Sequence, residues 1–580
     1  MSKLSIDQKT IMSLFQDKKS DFLIPNFQRP YAWEETECQT LWDDIFDFAF
    51  PGNDYTKFDT DSEYYLGSIV TYKNEDTGKK EVIDGQQRLT TLMLLLRAFY
   101  VKFGNMQDKQ SVATKKNIEQ CIWKTNEFGE PDMDALKIDS EVATDNDKEE
   151  FLNLLKTGIC NATDKSHYAE NYKFFQKKID EFLNTYPGYF AYLPNRILNN
   201  CILLPIEAEN QDTALRIFST LNNRGKPLSD ADIFKAQFYD FYKKQGKIAE
   251  FIDTWKGLEE ICEEIFHPIS GTPMDELFTR YMYYERAKKG IKDSTTEALR
   301  KFYEKDHYSV LKSDETFQNL QVLADFWQDV AKQNEKRFSA KILRKLLILN
   351  FAPNGMWTYF TTVYFLKNKD ENGLLKEDDF YNFLNKMIPF IWTYALVNPG
   401  VNALRTPVYA EMVNIINGKP VDFESFKFEK VNVENIFNNY RFNNGRPITK
   451  SFLAWWAFEK ESQPIIKLGT VFEIEHIYAV NRQEKESGLS NEENLEKLGN
   501  KALLEKSINI RASDYRFEDK KKYYVGFTTK NGKVKEPTVI EELLQLGKNA
   551  KDFTEINIKD RNKLILDTFT SYLKDVNLLK

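Results

Sequence analysis

Residue types suited to acid–base and metal chemistry gather near the C-terminus of this 580-residue chain. Val471-Phe472-Glu473-Ile474-Glu475-His476-Ile477-Tyr478 sets one of only four histidines directly after a carboxylate. Leu498-Gly499-Asn500-Lys501-Ala502-Leu503-Leu504 comes next, with 23 residues between His476 and Asn500. Ser507-Ile508-Asn509-Ile510 follows, with eight residues between the two asparagines. A neutral imidazole can deprotonate water near neutral pH. A carboxylate and an amide oxygen can hold one hard divalent ion, Mg²⁺ or Mn²⁺, against a leaving alkoxide. A loop amide can orient the imidazole from its other nitrogen. The order strand-His, loop-Asn, strand, turn-Asn, helix suits metal-assisted hydrolysis of phosphodiesters. A basic, aromatic run follows, with Arg511, Tyr515, Arg516, Phe517, Lys520, Lys521, Lys522, Tyr523 and Tyr524. Its Arg511, Arg516, Lys520 and Lys521 are the expected DNA-binding cations.

A second constellation lies near the N-terminus, in three segments that are polar where a bland core would be apolar. They are Asn26-Phe27-Gln28-Arg29-Pro30-Tyr31-Ala32-Trp33, Ile83-Asp84-Gly85-Gln86-Gln87-Arg88-Leu89, and Leu221-Asn222-Asn223-Arg224-Gly225-Lys226-Pro227-Leu228. Backbone N–H groups at a helix start after Asp84-Gly85, with Arg88 beside them, form an anion site. Arg29, Arg88 and Arg224 together can clamp phosphates. Asp84 can hold a metal or polarise a water. The chain has no GxxxxGK[ST] loop, which excludes an ordinary P-loop NTPase. In an alternative reading, Tyr31 and Trp33 line a pocket for a flipped or modified base.

The elements that must carry these residues are legible in outline. Periodicity predicts a helix over Trp33–Phe50, strands at Tyr64–Tyr72 and Glu81–Ile83, and an apolar helix over Arg88–Phe103. Asn200–Ile206 reads as a strand. Ser229 and Asp232 have the spacing of a capping box. Residues 131–150 carry a net charge of −6 and read as a solvated surface segment. Trp455-Trp456 reads as part of a buried amphipathic helix. His167, His267 and His307 sit in no motif and read as surface or packing residues.

Composition sets outer limits. Hydrophobic residues make up 42% of the chain and charged residues 29%, which supports sizeable cores and excludes a disordered chain. A net charge of −8 argues against a protein that coats nucleic acid. The charge is uneven, however: residues 501–540 carry +5 and residues 1–500 carry −13. Five cysteines without CxxC spacing predict reduced thiols and a cytoplasmic location. The first 22 residues have no apolar signal core. The uncharged run Leu346–Leu366 is broken by Asn350 and by Pro353-Asn354-Gly355, so it predicts two buried elements and a turn, and no membrane partner.

The C-terminal residues resemble the HNH, or ββα-metal, nuclease family, and in particular the C-terminal half of GmrSD-type (type IV, modification-dependent) restriction endonucleases. The resemblance implies His476 as general base, Glu475 and Asn509 as metal ligands, and Asn500 as the residue that positions the histidine. Two departures stand out: the segment before Asn500 is long, and Ile477-Tyr478-Ala479-Val480 lacks the proline often found there. On a regular strand, Glu475 and His476 also point to opposite faces. Gln-Arg-Pro-Tyr-x-Trp with Asp-Gly-Gln-Gln-Arg-Leu-Thr-Thr-Leu resembles the ParB/sulfiredoxin-like domain of the N-terminal half of the same proteins. That match implies binding and hydrolysis of a nucleoside triphosphate, GTP or ATP, at Asp84, Gln86, Gln87 and Arg88, and less directly at Arg29 and Arg224.

The fold class expected is α+β and predominantly helical. The expected layout is a ParB/sulfiredoxin-like domain over 1–245, a helical linking region over 246–424 and an HNH domain over 425–580. The expected function is a nucleotide-regulated, modification-dependent DNA endonuclease in anti-phage defence, acting on double-stranded phage DNA and able to dimerise. The alternative is a nucleotide-dependent DNA-binding regulator or clamp with a non-catalytic HNH-like domain.

Overall fold

The computed structural model describes residues 5–580 except 19–20, 75–77, 105, 143–144, 146, 212, 215–216, 218–228, 401 and 514–515. The fold is α+β, with helix predominating. The chain divides into two compact units, 1–256 and 257–580. The helices of the expected linking region 246–424 from Gly257 onward share a unit with the C-terminal elements.

The first unit is built on a mixed sheet. Tyr64–Lys73 runs parallel to Cys201–Ala208 and antiparallel to Lys80–Asp84. Phe22–Ile24 runs parallel to Lys80–Asp84 on one side and to Ile138–Ser140 on the other. The helix Gln86–Lys102 is apolar nearly all round, as a fully enclosed helix must be, and Leu89 through Leu96 are buried without a break. Ser229 and Asp232 form the reciprocal capping box that their spacing predicts.

The acidic stretch 131–150 departs from the solvated segment expected. Ile138–Ser140 is a sheet strand with Ile138 fully buried, and Pro131–Leu136 pairs with Trp123–Thr125. Asp145 is buried and accepts a 2.5 Å hydrogen bond from the Tyr168 hydroxyl. Alternation explains the difference. Ile138 and Ser140 point inward while the Asp139 carboxylate between them meets Lys79 at 2.9 Å.

The second unit is mainly helical and holds a two-stranded sheet, Phe472–His476 against Lys501–Glu505. Helix Ala340–Leu349, a turn and helix Met356–Asn368 occupy the long uncharged run, as its breaks predict. Among the described residues, no helix is long and apolar enough to cross a membrane. Trp455 and Trp456 are buried in helix Pro447–Phe458, where Trp455 packs against Phe569 and Tyr572. The same helix ties down the start of the strand through Lys450, whose Nζ donates to the Phe472 carbonyl at 2.7 Å. All five cysteines are free thiols.

Candidate functional site

His476 ends its strand, and its register partner across the hairpin is Lys501. The pairing Phe472↔Glu505 to His476↔Lys501 is regular and has no bulge. Glu473 and Glu475 therefore point to one face and His476 to the other.

On the first face, Glu475 is taken up by structure. Its Oε1 accepts from Lys520 Nζ at 2.9 Å and from the Tyr524 hydroxyl at 2.5 Å. Lys520 also donates to the His476 carbonyl at 2.7 Å. The side chains of Glu475 and Lys520 are 5% and 1% exposed, so this is a buried ion pair. Burial first, and then the Glu475 charge, pushes the Tyr524 phenol well above its usual range and keeps it a donor. Glu475, the expected metal ligand, and Lys520, an expected DNA contact, are each other's partners in this structure. The sequence shows both only as charged residues; the helix Phe517–Val525 folds back onto the strand and neutralises one with the other.

Asn509 is half-buried on helix Lys506–Ala512, and its Nδ2 donates to Glu473 Oε2 at 3.0 Å. Asn509 thus meets Glu473, two residues from the carboxylate expected. Among the described residues, no three His, Cys, Asp or Glu side chains cluster as a metal site.

Asn500 is completely buried and acts on backbone. Its Oδ1 accepts from Tyr478 N at 2.8 Å, and its Nδ2 donates to the carbonyls of Tyr478 at 3.1 Å and Leu495 at 3.2 Å. Ile477 N donates to the Asn500 carbonyl at 2.9 Å. Asn500 thus clamps the chain leaving His476 and does not touch the ring. Its neighbour must be glycine. A Cβ on Gly499 would fall 2.7 Å from Asn562 N and closer still to the Ile558 carbonyl, both on helix Glu555–Asp575. Gly499 N in turn donates to Asn562 Oδ1 at 3.1 Å.

The imidazole itself faces Glu496, a residue that motif reading passes over. His476 Nε2 lies 3.6 Å from Glu496 Oε1, while Glu496 Oε2 takes Lys501 Nζ at 2.9 Å. Donation toward the carboxylate from the His476 ring first, and then from Lys501, holds the Glu496 carboxyl down at about 2, against the cost of burial. Of the remaining cations, Arg511 Nε donates to the Ser507 carbonyl at 2.9 Å, Lys521 is half-buried, and exposed Arg516 pairs with Glu486.

The N-terminal constellation assembles around the end of strand Lys80–Asp84. Gly85 takes a positive φ of 88° and opens helix Gln86–Lys102. Asp84 lies within electrostatic reach of both Arg88 and Arg29. Burial raises the Asp84 carboxyl, and the two guanidiniums oppose that rise. Arg88 is anchored by donation from Nη1 to the Ser68 carbonyl at 2.9 Å. Gly67, at φ 133°, clears its space: a Cβ there would lie 2.7 Å from the guanidinium.

The glutamines hold backbone. Gln86 Nε2 reaches the Arg29 carbonyl at 3.4 Å, and Gln87 Nε2 donates to the Pro30 carbonyl at 3.0 Å. Gln87 Oε1 accepts from Ala32 N at 2.7 Å. Both side chains are buried, and they lash the Arg-Pro-Tyr segment to the helix start. Tyr31 is buried too: its hydroxyl pairs with Thr91 at 2.7 Å and takes Asn171 Nδ2 at 3.0 Å. Arg29, Asp84 and Arg88 are brought together; Arg224 lies outside the described residues.

Comparison with known proteins gives two family matches. Residues 11–239 match the model for the GmrSD restriction endonuclease N-terminal domain. Residues 428–568 match the model for the GmrSD restriction endonuclease C-terminal domain. The chain is also 22% identical over 274 residues to an uncharacterised protein of Methanocaldococcus jannaschii, covering 43% of this chain and 44% of that protein. The match thus spans under half the length of that relative.

Proposed function

The chain belongs to the GmrSD restriction endonuclease family, and from that premise we propose that it is a modification-dependent DNA endonuclease regulated by a nucleoside triphosphate. The observation that carries the reading is the placement of His476. It ends a strand, keeps 17% of its side chain exposed, and is braced by the Asn500 clamp on the residues that follow it. His476 is the candidate general base, taking a proton from the water that attacks phosphorus. Arg511 and Lys521, in the basic stretch after Asn500, are the candidate phosphate contacts. A divalent ion, Mg²⁺ or Mn²⁺, is the cofactor that the family resemblance implies, and loss of cutting in EDTA tests it.

In the N-terminal unit, Arg29 and Arg88 flank Asp84 at a helix start, an arrangement suited to the phosphates of GTP or ATP. Gln86 and Gln87 support that site by holding the Arg29 segment. Nucleotide or modified DNA would favour one arrangement of the protein over another and so license cutting. The biological setting proposed is defence against phage with modified DNA, in the cytoplasm.

One observation favours a second reading. Glu475 is neutralised by Lys520, as in a domain kept for binding rather than cutting. The protein would then be a nucleotide-dependent DNA clamp. A single experiment separates the two. A matched panel of modified and unmodified phage DNAs is incubated with the protein, with each nucleotide and with or without Mg²⁺. The nuclease reading expects cutting of one modified class, lost in His476→Ala. Retention of DNA without cutting, together with His476→Ala indistinguishable from wild type in phage protection, overturns it.

A further inference from the structure

His476 presents a buried ring nitrogen, Nε2, that has no hydrogen-bond partner. A buried polar atom left unpaired is costly, and such atoms mark sites completed by a small movement or by a ligand. The nearest counter-group is Glu496 Oε1 at 3.6 Å, just beyond hydrogen-bond length. Catalytic hydrogen bonds are often long in a resting site and tighten when substrate binds.

Glu496 is built to make that contact. Its two oxygens are divided: Oε2 is held by Lys501 Nζ, and Oε1 faces the imidazole. Lys501 is fully buried and is itself fixed by Asn444 Oδ1 at 2.6 Å. The carboxylate therefore has a rigid backing and one free edge. Asn500, expected to orient the ring, spends both amide atoms on the backbone of Tyr478 and Leu495.

We infer that Glu496 is the positioning residue of His476, accepting its Nε2–H and leaving Nδ1 to take the proton of the attacking water. This rests on the nuclease reading for its consequence, but not for its geometry. A carboxylate behind an imidazole fixes the tautomer and strengthens the base, and such supporting groups are worth roughly 10–100-fold when removed. The charged groups around the pair are Lys501 on the facing strand, with Lys520 reaching the His476 carbonyl from the opposite face.

The test uses the full-length protein with Glu496→Gln and Glu496→Ala, beside His476→Ala. Cleavage of the DNA that wild type cuts is expected to fall in the order wild type, Glu496→Gln, Glu496→Ala. The loss should lie in kcat, about 10–100-fold, with KM within about twofold. Glu496→Ala placed on His476→Ala should remove nothing further. The ¹⁵N NMR signal of the imidazole, assigned by its loss in His476→Ala, should report Nε2–H in wild type and a mixture of tautomers in Glu496→Ala. Wild-type kcat in Glu496→Ala alongside an inactive His476→Ala overturns the inference and leaves the nuclease reading standing. Undiminished cleavage by His476→Ala sinks the general-base role of His476 instead, and the tautomer signal then decides the role of Glu496. A wild-type imidazole carrying its proton on Nδ1 refutes it even if Glu496→Ala does not fold.

Discussion

Replacing Lys520 with methionine removes a buried ammonium that makes two bonds, 2.9 Å to Glu475 Oε1 and 2.7 Å to the His476 carbonyl. The carboxylate left behind keeps only the Tyr524 hydroxyl as a named donor. Removing one partner of a buried pair strands the other charge and costs about 3–5 kcal/mol. Lys520→Met should therefore destabilise the C-terminal unit by about that much. Glu475→Gln keeps an acceptor in place and should cost less, about 1–3 kcal/mol. The triple variant Glu475→Met, Lys520→Met, Tyr524→Phe removes the charges together and should return to within about 2 kcal/mol of wild type. That non-additivity is the signature of residues acting as one unit. Urea unfolding monitored by hydrogen exchange in strand Phe472–His476 reads the right region of the molecule. If Lys520→Met lies within about 0.5 kcal/mol of wild type, as an ordinary surface change would, the buried-pair reasoning fails. It also fails if Glu475→Gln leaves stability unchanged yet abolishes a stabilisation by Mg²⁺, since the carboxylate would then serve a metal.

Three further outcomes are expected. Gly67→Ala should push the Arg88 guanidinium from its seat and add strain at a positive φ, lowering nucleotide affinity more than tenfold by isothermal titration, with the cleavage domain still folded. Asn500→Ala should cost about 1–3 kcal/mol in thermal unfolding, because it leaves the Tyr478 N–H and two carbonyls without their buried partner. Glu496 has its carboxyl held down at about 2, so its contribution to stability is present above the unfolded value and is lost as pH falls toward 2. The stability difference between wild type and Glu496→Gln, measured by denaturation across that range, should be largest above about pH 5 and shrink steadily below it.

The positions of the main elements were readable because each rests on local signals. Alternation marked Phe472–His476, a largely apolar stretch over Arg88–Phe103 marked the helix found at Gln86–Lys102, and Ser229 with Asp232 marked a helix start. The uneven charge located the basic stretch after Asn500. Side-chain partners have no local signal. Nothing near Glu475, Lys520 or Asn509 in the sequence shows that the first two pair with each other and that the third bonds Glu473. Nor does Gln86-Gln87 show that it ties down the Arg29–Ala32 backbone. Glu496 was overlooked because a lone glutamate in a turn has no local signature.

By itself, then, the sequence determined the family, the helix-rich α+β class, the strand that ends in His476 and the apolar helix that follows Asp84. Those depend on short-range periodicity, on turn chemistry and on residues that recur in a fixed order. Only the tertiary structure decided which side chain answers which. A charge is equally able to bind a metal, contact DNA or pair with another charge. The choice falls to whatever long-range packing brings into contact, and here it brought Lys520 to 2.9 Å from Glu475 and Glu496 to 3.6 Å from His476.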